Sequence, residues 1–209
     1  MEKLKIAVLI SGDGSNLQAI INECEKSDFP AAIALVVSNN PNALGIQKAQ
    51  LADIKTIVID TQKHQRREDF ELELTHALTK MEVQLICLAG FMRLLTDKFC
   101  RDWHNKLINI HPSILPSFKG LDAQAQAFNA GVKYSGCTVH FVRKSMDSGP
   151  IIMQSIVAIT PKDNIKTIKN KILKLEHKIY PETIRLIAEN RLSFDGNKVL
   201  ISDTKLDLK

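Results

Sequence analysis

The sequence predicts an α/β fold: a mostly parallel, twisted sheet with helices on both faces and an antiparallel excursion in the C-terminal half. Three observations predict it. Short, continuous apolar runs alternate with helix-period segments through the first half of the chain, as parallel strands covered on both faces do. A glycine-containing turn, Ser11-Gly12-Asp13-Gly14-Ser15-Asn16, joins the first run to the first helix. Beyond His111 the alternation gives way to two longer strand-like runs joined by a tight turn.

The elements follow in order. Residues 5–10 are a β-branched run ending at glycine, and residues 15–24 place Leu17, Ile20, Ile21 and Cys24 at helical spacing. Residues 33–37 form a second buried strand, followed by a helix over 43–52 and a third strand over 56–59. A long amphipathic helix over 67–81 turns Phe70, Leu74, Ala77, Leu78 and Met81 inward. Residues 85–89 and 107–110 are the fourth and fifth strands. From His111 to Gly120, two prolines and a glycine predict an irregular loop, and residues 123–130 a short helix. Residues 135–142 and 151–159 read as strands linked by a turn at 146–150. Asp163 is positioned to cap a helix whose stripe is Ile165, Ile168, Ile172, Leu175 and Ile179, and Pro181 should break or bend it. A hairpin around Asp195-Gly196-Asn197 and a polar, frayed end close the chain.

A chain of 209 residues fits one domain, 1–209, with a sizeable core. Its net charge of +5 is mild, and with only 5% aromatic residues there is no basic-aromatic stripe of the kind nucleic-acid binding uses. The lysines at 166, 169, 171, 174 and 178 read as a solvated helix face. Four cysteines (Cys24, Cys87, Cys100, Cys137) form no C-x-x-C pair and no zinc-spaced cluster, so no metal is expected and a reducing cytoplasm is. The apolar run near Met1 is too short for a signal segment, and no stretch reaches membrane-spanning length.

Two motifs carry chemistry. In Asn109-Ile110-His111-Pro112-Ser113, the amide and the imidazole stand two apart, so on a strand they leave from one face. Pro112 holds His111 extended, and the pair falls at a strand's carboxyl end, where open α/β sheets keep their ligand crevice. A histidine at a strand end is also an ordinary structural residue, and on this motif alone both readings stand. Asp147-Ser148-Gly149-Pro150 supplies a carboxylate that spacing by itself cannot bring to His111. The second motif is the turn at 11–16. Its glycines let the backbone approach an anion at a helix N-terminus. Leu17 occupies the third glycine position of a dinucleotide fingerprint, and the second strand ends Ser38-Asn39-Asn40 without a ribose-gripping acid, so a single phosphate is the economical ligand. Asp13 should then point outward while the backbone of Gly14, Ser15 and Asn16 binds. His140, mid-strand, reads as structural or as a support to the site.

Together these segments resemble the phosphoribosylglycinamide formyltransferase family, within the formyltransferase superfamily. The matching stretches are G-D-G-S-N at 12–16, L-A-G-F-M-R-L-L at 88–95, I-N-I-H-P-S at 108–113 and G-C-T-V-H-F-V at 136–142, with M-D-S-G-P-I-I at 146–152 and E-H-K-I-Y-P at 176–181. The resemblance implies a Rossmann-like formyltransferase fold and transfer of a formyl group from 10-formyltetrahydrofolate, as co-substrate, to the amine of glycinamide ribonucleotide in purine biosynthesis. It implies a catalytic trio of Asn109, His111 and Asp147, and a phosphate loop of Gly14, Ser15 and Asn16. It also implies a ribose contact at Glu176 and an arginine near the substrates at Arg67. The folate pocket would comprise Met92, Arg93, Leu94 and Leu95 with Arg143, Lys144, Ser145, Met146 and Asp147. Small molecules are the expected partners, with homodimerisation left open and neither nucleic acid nor membrane involved.

Two departures from the pattern stand out. Many relatives carry histidines where this chain reads Gly120-Leu121-Asp122-Ala123-Gln124, and some are acidic where it has Arg143-Lys144. Within the superfamily, a formyltetrahydrofolate deformylase is expected to carry an added N-terminal domain, and a methionyl-tRNA formyltransferase an added C-terminal barrel. A length of 209 residues suits neither, and the phosphate loop favours a phosphorylated acceptor over water. A non-catalytic folate- or nucleotide-binding protein would be expected to lack a member of the trio, and all three are present.

Overall fold

The computed structural model describes residues 2–64 and 66–203. The chain forms two compact units, Met1–Ile108 and Asn109–Lys209. The first contains β1 (Leu4–Ile10), α1 (Ser15–Cys24), β2 (Ala31–Ser38), α2 (Leu44–Leu51), β3 (Thr56–Val58), α3 (Arg67–Lys80), β4 (Leu85–Leu88) and α4 (Asp97–Asp102). Its strands lie in the order β3-β2-β1-β4, and every pairing is parallel. Ile6 to Ile10, Val36, Val37, Ile86 and Cys87 are wholly buried, which is why these strands read as continuous apolar runs rather than as alternation.

Right-handed crossovers fix the layering. The moves β1 to β2 and β2 to β3 step one way, so α1 and α2 lie on one face, where they touch. The move from β3 to β4 steps back over β1 and puts α3 on the other face. The reversal falls between the carboxyl ends of β1 and β4, the place where such sheets bind ligands.

Two short elements differ from expectation. Thr61–Lys63 forms a 3₁₀ turn capped by the Asp60 carboxylate, which accepts the Gln62 N–H at 2.9 Å. Helix α4, too short to show a period, is capped by Thr96, whose Oγ1 accepts the Phe99 N–H at 3.2 Å. Met81, expected on the inward stripe of α3, lies just beyond its end and is only partly buried, whereas Glu71 joins the buried face.

β5 (Leu107–His111) runs across the boundary at residue 109. The second unit continues with α5 (Ala123–Asn129), β6 (Tyr134–Phe141), β7 (Ile151–Ala158), α6 (Ile165–Ala188), β8 (Leu192–Asp195) and β9 (Lys198–Ile201). β6 and β7 pair antiparallel, the expected excursion, with a register shift between Val139 and His140. α6 packs on both strands.

Its start corrects the sequence reading by one residue. Asn164, not Asp163, is the cap, and Asn164 and Thr167 form a reciprocal capping box. Asp163 instead accepts from Thr160 and Lys171, which together hold its carboxyl well below the usual carboxylate range. Pro181 does not break α6, which continues to Ala188. A mid-helix proline costs about 3 kcal/mol; burial of Tyr180, Ile184 and Leu186 around it offsets that. β8 and β9 form the expected hairpin about Gly196-Asn197. The last part of the polar tail, 204–209, lies outside the described residues.

Candidate active site

In the first unit, the β1 turn is built around Gly14. Its backbone is left-handed (φ 67°, ψ 38°), and a Cβ there would stand 2.7 Å from the Gly45 Cα at the start of α2. Only glycine permits both. Gly14, as the N-cap, brings no capping side chain, and the N-terminus of α1 opens at the loop. Asp13 is exposed, and Asn16 is buried.

Beside this turn runs the segment after β4. The Met92 N–H donates to Ser11 Oγ at 2.7 Å. The Arg93 guanidinium lies 4.7 Å from the Phe70 ring centroid, within cation–π range. The buried Glu71 carboxylate accepts the Thr96 N–H at 2.6 Å and also the Thr96 hydroxyl. Met92 and Leu94 are left exposed, at 68% and 54%. Arg67, in the first turn of α3, is exposed.

In the second unit, Asn109, His111 and Asp147 are gathered at one place, with His140 among them. His111 Nδ1 lies 3.4 Å from Asp147 Oδ2, and His111 Nε2 donates to the Phe118 carbonyl at 2.8 Å. Both ring nitrogens therefore face acceptors. Asn109 Nδ2 lies 3.3 Å from His140 Nε2, while His140 Nδ1 donates to the Phe141 carbonyl at 2.9 Å. An unprotonated Nε2 accepts one amide proton of Asn109 and leaves the second for another partner, whereas a protonated Nε2 faces Asp147 Oδ1 instead. His140 Nε2 is also 3.7 Å from Asp147 Oδ1.

Backbone geometry holds this cluster open. Phe118 and Asp147 both have left-handed φ values, 54° and 48°, uncommon for residues with a Cβ and typical of constrained functional loops. Gly149 supports the Asp147 turn, since a Cβ there would fall 1.8 Å from the Phe141 carbonyl oxygen. Gly120 N–H donates to Asp147 Oδ2 at 2.9 Å. Burial works against ionisation of Asp147. The His140 contact, the Gly120 N–H and the charges of His111 and His140 outweigh it, and the carboxyl lies below its ordinary range.

Glu176, on the buried side of α6, borders a cleft of about 180 Å³ with Gln124, Lys169, Asn170 and Leu173. Arg143 stacks toward Phe141 at 5.8 Å and donates to the Val142 carbonyl. Lys144, Ser145 and Met146 are exposed on the β6–β7 connection. Among the described residues, no cluster of three His, Cys, Asp or Glu could hold a metal ion, and no helix is long and apolar enough to cross a membrane.

Residues 4–184 match the Formyl transferase family. The chain belongs to that family. It is 43% identical over 181 residues to the phosphoribosylglycinamide formyltransferase of Bacillus subtilis (strain 168), covering 87% of this chain and 93% of that one. It is 45% identical over 186 residues, 89% of its length, to the trifunctional purine biosynthetic protein adenosine-3 of Gallus gallus. The chain spans about a fifth of that relative's length (18%). In three dimensions it resembles glycinamide ribonucleotide transformylase 1 from Symbiobacterium toebii. The TM-score is 0.93 at 43% identity, covering 96% of this chain and 95% of that one. The mostly parallel sheet flanked by helices, with its antiparallel excursion, is thus the formyltransferase fold that the sequence predicts.

Within this formyltransferase, several residues that sequence reasoning read only as supports or did not foresee contribute to these features. His140 contacts both Asn109 and Asp147, and the register shift beside it is the local device that re-aims a strand side chain. Phe118 and Gly120 act through backbone atoms, which no side-chain motif announces. Glu71 and Ser11 anchor the 91–96 segment. A polar residue on the inward stripe of α3 was the one signal available for Glu71.

Proposed function

We propose that the protein transfers the formyl group of 10-formyltetrahydrofolate to the primary amine of glycinamide ribonucleotide, with Asn109, His111 and Asp147 carrying the chemistry. The supporting observation is the convergence of these three side chains, with the imidazole held between the Asp147 carboxylate and the Phe118 carbonyl. The acceptor's nitrogen attacks the formyl carbon, and the carbonyl oxygen becomes an oxyanion. Collapse breaks the bond to the folate nitrogen, which takes a proton as the attacking nitrogen loses one. The substrate amine is itself the nucleophile, so no enzyme serine or cysteine is required.

Asn109 donates its free amide proton to the oxyanion; a fixed donor of this kind is worth about 10²–10³ in rate. His111 passes the proton. Asp147, ionised at neutral pH, holds His111 in place and relays the proton through water. The N–H groups at Gly14, Ser15 and Asn16 take the acceptor's phosphate, and Glu176 its ribose hydroxyls. Arg67 attracts the anionic substrates. Met92 to Leu95 and Arg143 to Asp147 take the folate.

The test is to incubate the protein with 10-formyltetrahydrofolate, with and without glycinamide ribonucleotide. Tetrahydrofolate forming only with the ribonucleotide supports the transferase. Equal formation without it makes the protein a deformylase, and no formation under either condition makes it a binding protein.

A further inference from the structure

Ser11 opens the turn assigned to the acceptor's phosphate, yet its hydroxyl faces the other way. Oγ donates to Asn39 Oδ1 at 2.6 Å and accepts the Met92 N–H at 2.7 Å. Its carbonyl accepts Asn40 Nδ2 at 3.0 Å, and Asn40 is itself fixed by the fully buried Ser38, whose hydroxyl contacts both its N–H and its carbonyl. The ends of β2, β1 and β4 are thus stitched together in that order, and Ser11 Oγ is the stitch to the segment after β4. The far end of that segment is held independently by Glu71 on Thr96, and its middle by Arg93 on Phe70. Between these anchors lie the exposed apolar side chains of Met92 and Leu94.

We infer that Ser11 is a positioning residue for the formyl donor rather than for the acceptor. The inference rests on the assignment of Met92 to Leu95 to the folate. An extended segment reads a heterocycle through its peptide groups as well as its side chains. The plane of the Met92 peptide, fixed by the Ser11 bond, sets the direction of those that follow. The phosphate turn does not depend on the same hydroxyl. Its shape is set by Gly14 against Gly45, and by the Gly45 N–H donating to the Gly12 carbonyl at 3.1 Å. Removing Oγ also leaves the Ser11 carbonyl bond to Asn40 in place.

Ser11→Ala and Ser11→Thr separate the two roles. Donor affinity is measured by equilibrium binding of a non-reactive formyl-folate analogue, and both Michaelis constants by steady-state turnover. Loss of one neutral hydrogen bond is expected to weaken the donor about three- to tenfold in Ser11→Ala. The acceptor constant should stay within about twofold, and Ser11→Thr, which keeps the hydroxyl, should restore donor affinity. Equal shifts for both ligands, a shift confined to the acceptor, or no shift overturns the inference. If the unaltered protein fails to bind the donor, the folate assignment falls and this inference with it. Binding and turnover in the unaltered protein, with a native donor constant in Ser11→Ala, refute the Ser11 role alone.

Discussion

Replacing Gly14 by alanine tests whether the β1 turn is built as described. Two costs add. An alanine held at φ 67° sits in the left-handed region, at about 1–2 kcal/mol for an L-residue. Its Cβ would also stand 2.7 Å from the Gly45 Cα, a backbone atom that cannot swing aside. Forcing such a contact typically costs about 1–3 kcal/mol. The sum is about 2–5 kcal/mol, or a fall in melting temperature of about 5–15 °C for a chain of this size. Gly12→Ala is the internal control, since nothing lies within 4 Å of its Cβ and its φ is not left-handed. It should fall within about 0.5 kcal/mol of the unaltered protein. Scanning calorimetry at pH 7 measures both, and the acceptor's Michaelis constant should rise only in Gly14→Ala. A Gly14→Ala protein that melts within 2 °C of the original, or a Gly12→Ala protein that falls as far, would show that the turn does not depend on glycine at position 14.

Three further outcomes follow from the same geometry. His140→Ala should lower kcat by about 10- to 100-fold, as expected for losing a hydrogen bond to a group that must stay aligned, with little change in either Michaelis constant; native kcat would make His140 a bystander. The Asp147 carboxyl is depressed in the folded chain, so its contribution to stability is complete above the unfolded value of about 3.9 and is lost as pH falls through the folded one. The stability gap between the unaltered protein and Asp147→Asn, from denaturant titrations, should therefore be full at pH 7 and narrow toward pH 3; a gap constant across that range would contradict the assignment. Burial pushes the Cys24 and Cys137 thiols up to about 12, so neither should react with iodoacetamide at pH 7.5 until the chain unfolds, as mass spectrometry would show.

Much of the fold was legible because its signals are local. The glycines and Ser15 place the start of α1, and buried parallel strands read as unbroken apolar runs. What failed to read was set by partners distant in sequence or by close choices. α4 has only six residues, and its Thr96 cap is fixed by Glu71 from another helix. A buried glutamate contradicts the usual outward rule and is tolerated because Thr96 gives it two donors. Asp163 and Asn164 are both good caps, and the hydroxyl of Thr167, three residues after Asn164, decides between them. In the site, the strand alternation that puts Asn109 and His111 on one face was readable, but the reach of Asp147 was not. That depends on a left-handed residue in the β6–β7 connection, which only the family likeness pointed to. The role of His140 is faint in the sequence because a register shift cannot be seen in a strand-like run.

The chemistry proposed for the Asn109, His111 and Asp147 cluster is the movement of a formyl group onto an amine. Single-turnover NMR with formyl-¹³C 10-formyltetrahydrofolate and glycinamide ribonucleotide tests it most directly, in the unaltered protein and in Asp147→Asn. The label should leave the folate nitrogen and appear as the formamide of the ribonucleotide. In Asp147→Asn the same transfer should be slower by two or more orders of magnitude, about 3 kcal/mol or more of barrier, with the donor still bound. Label appearing as formate, or transfer by Asp147→Asn at the native rate, would contradict it.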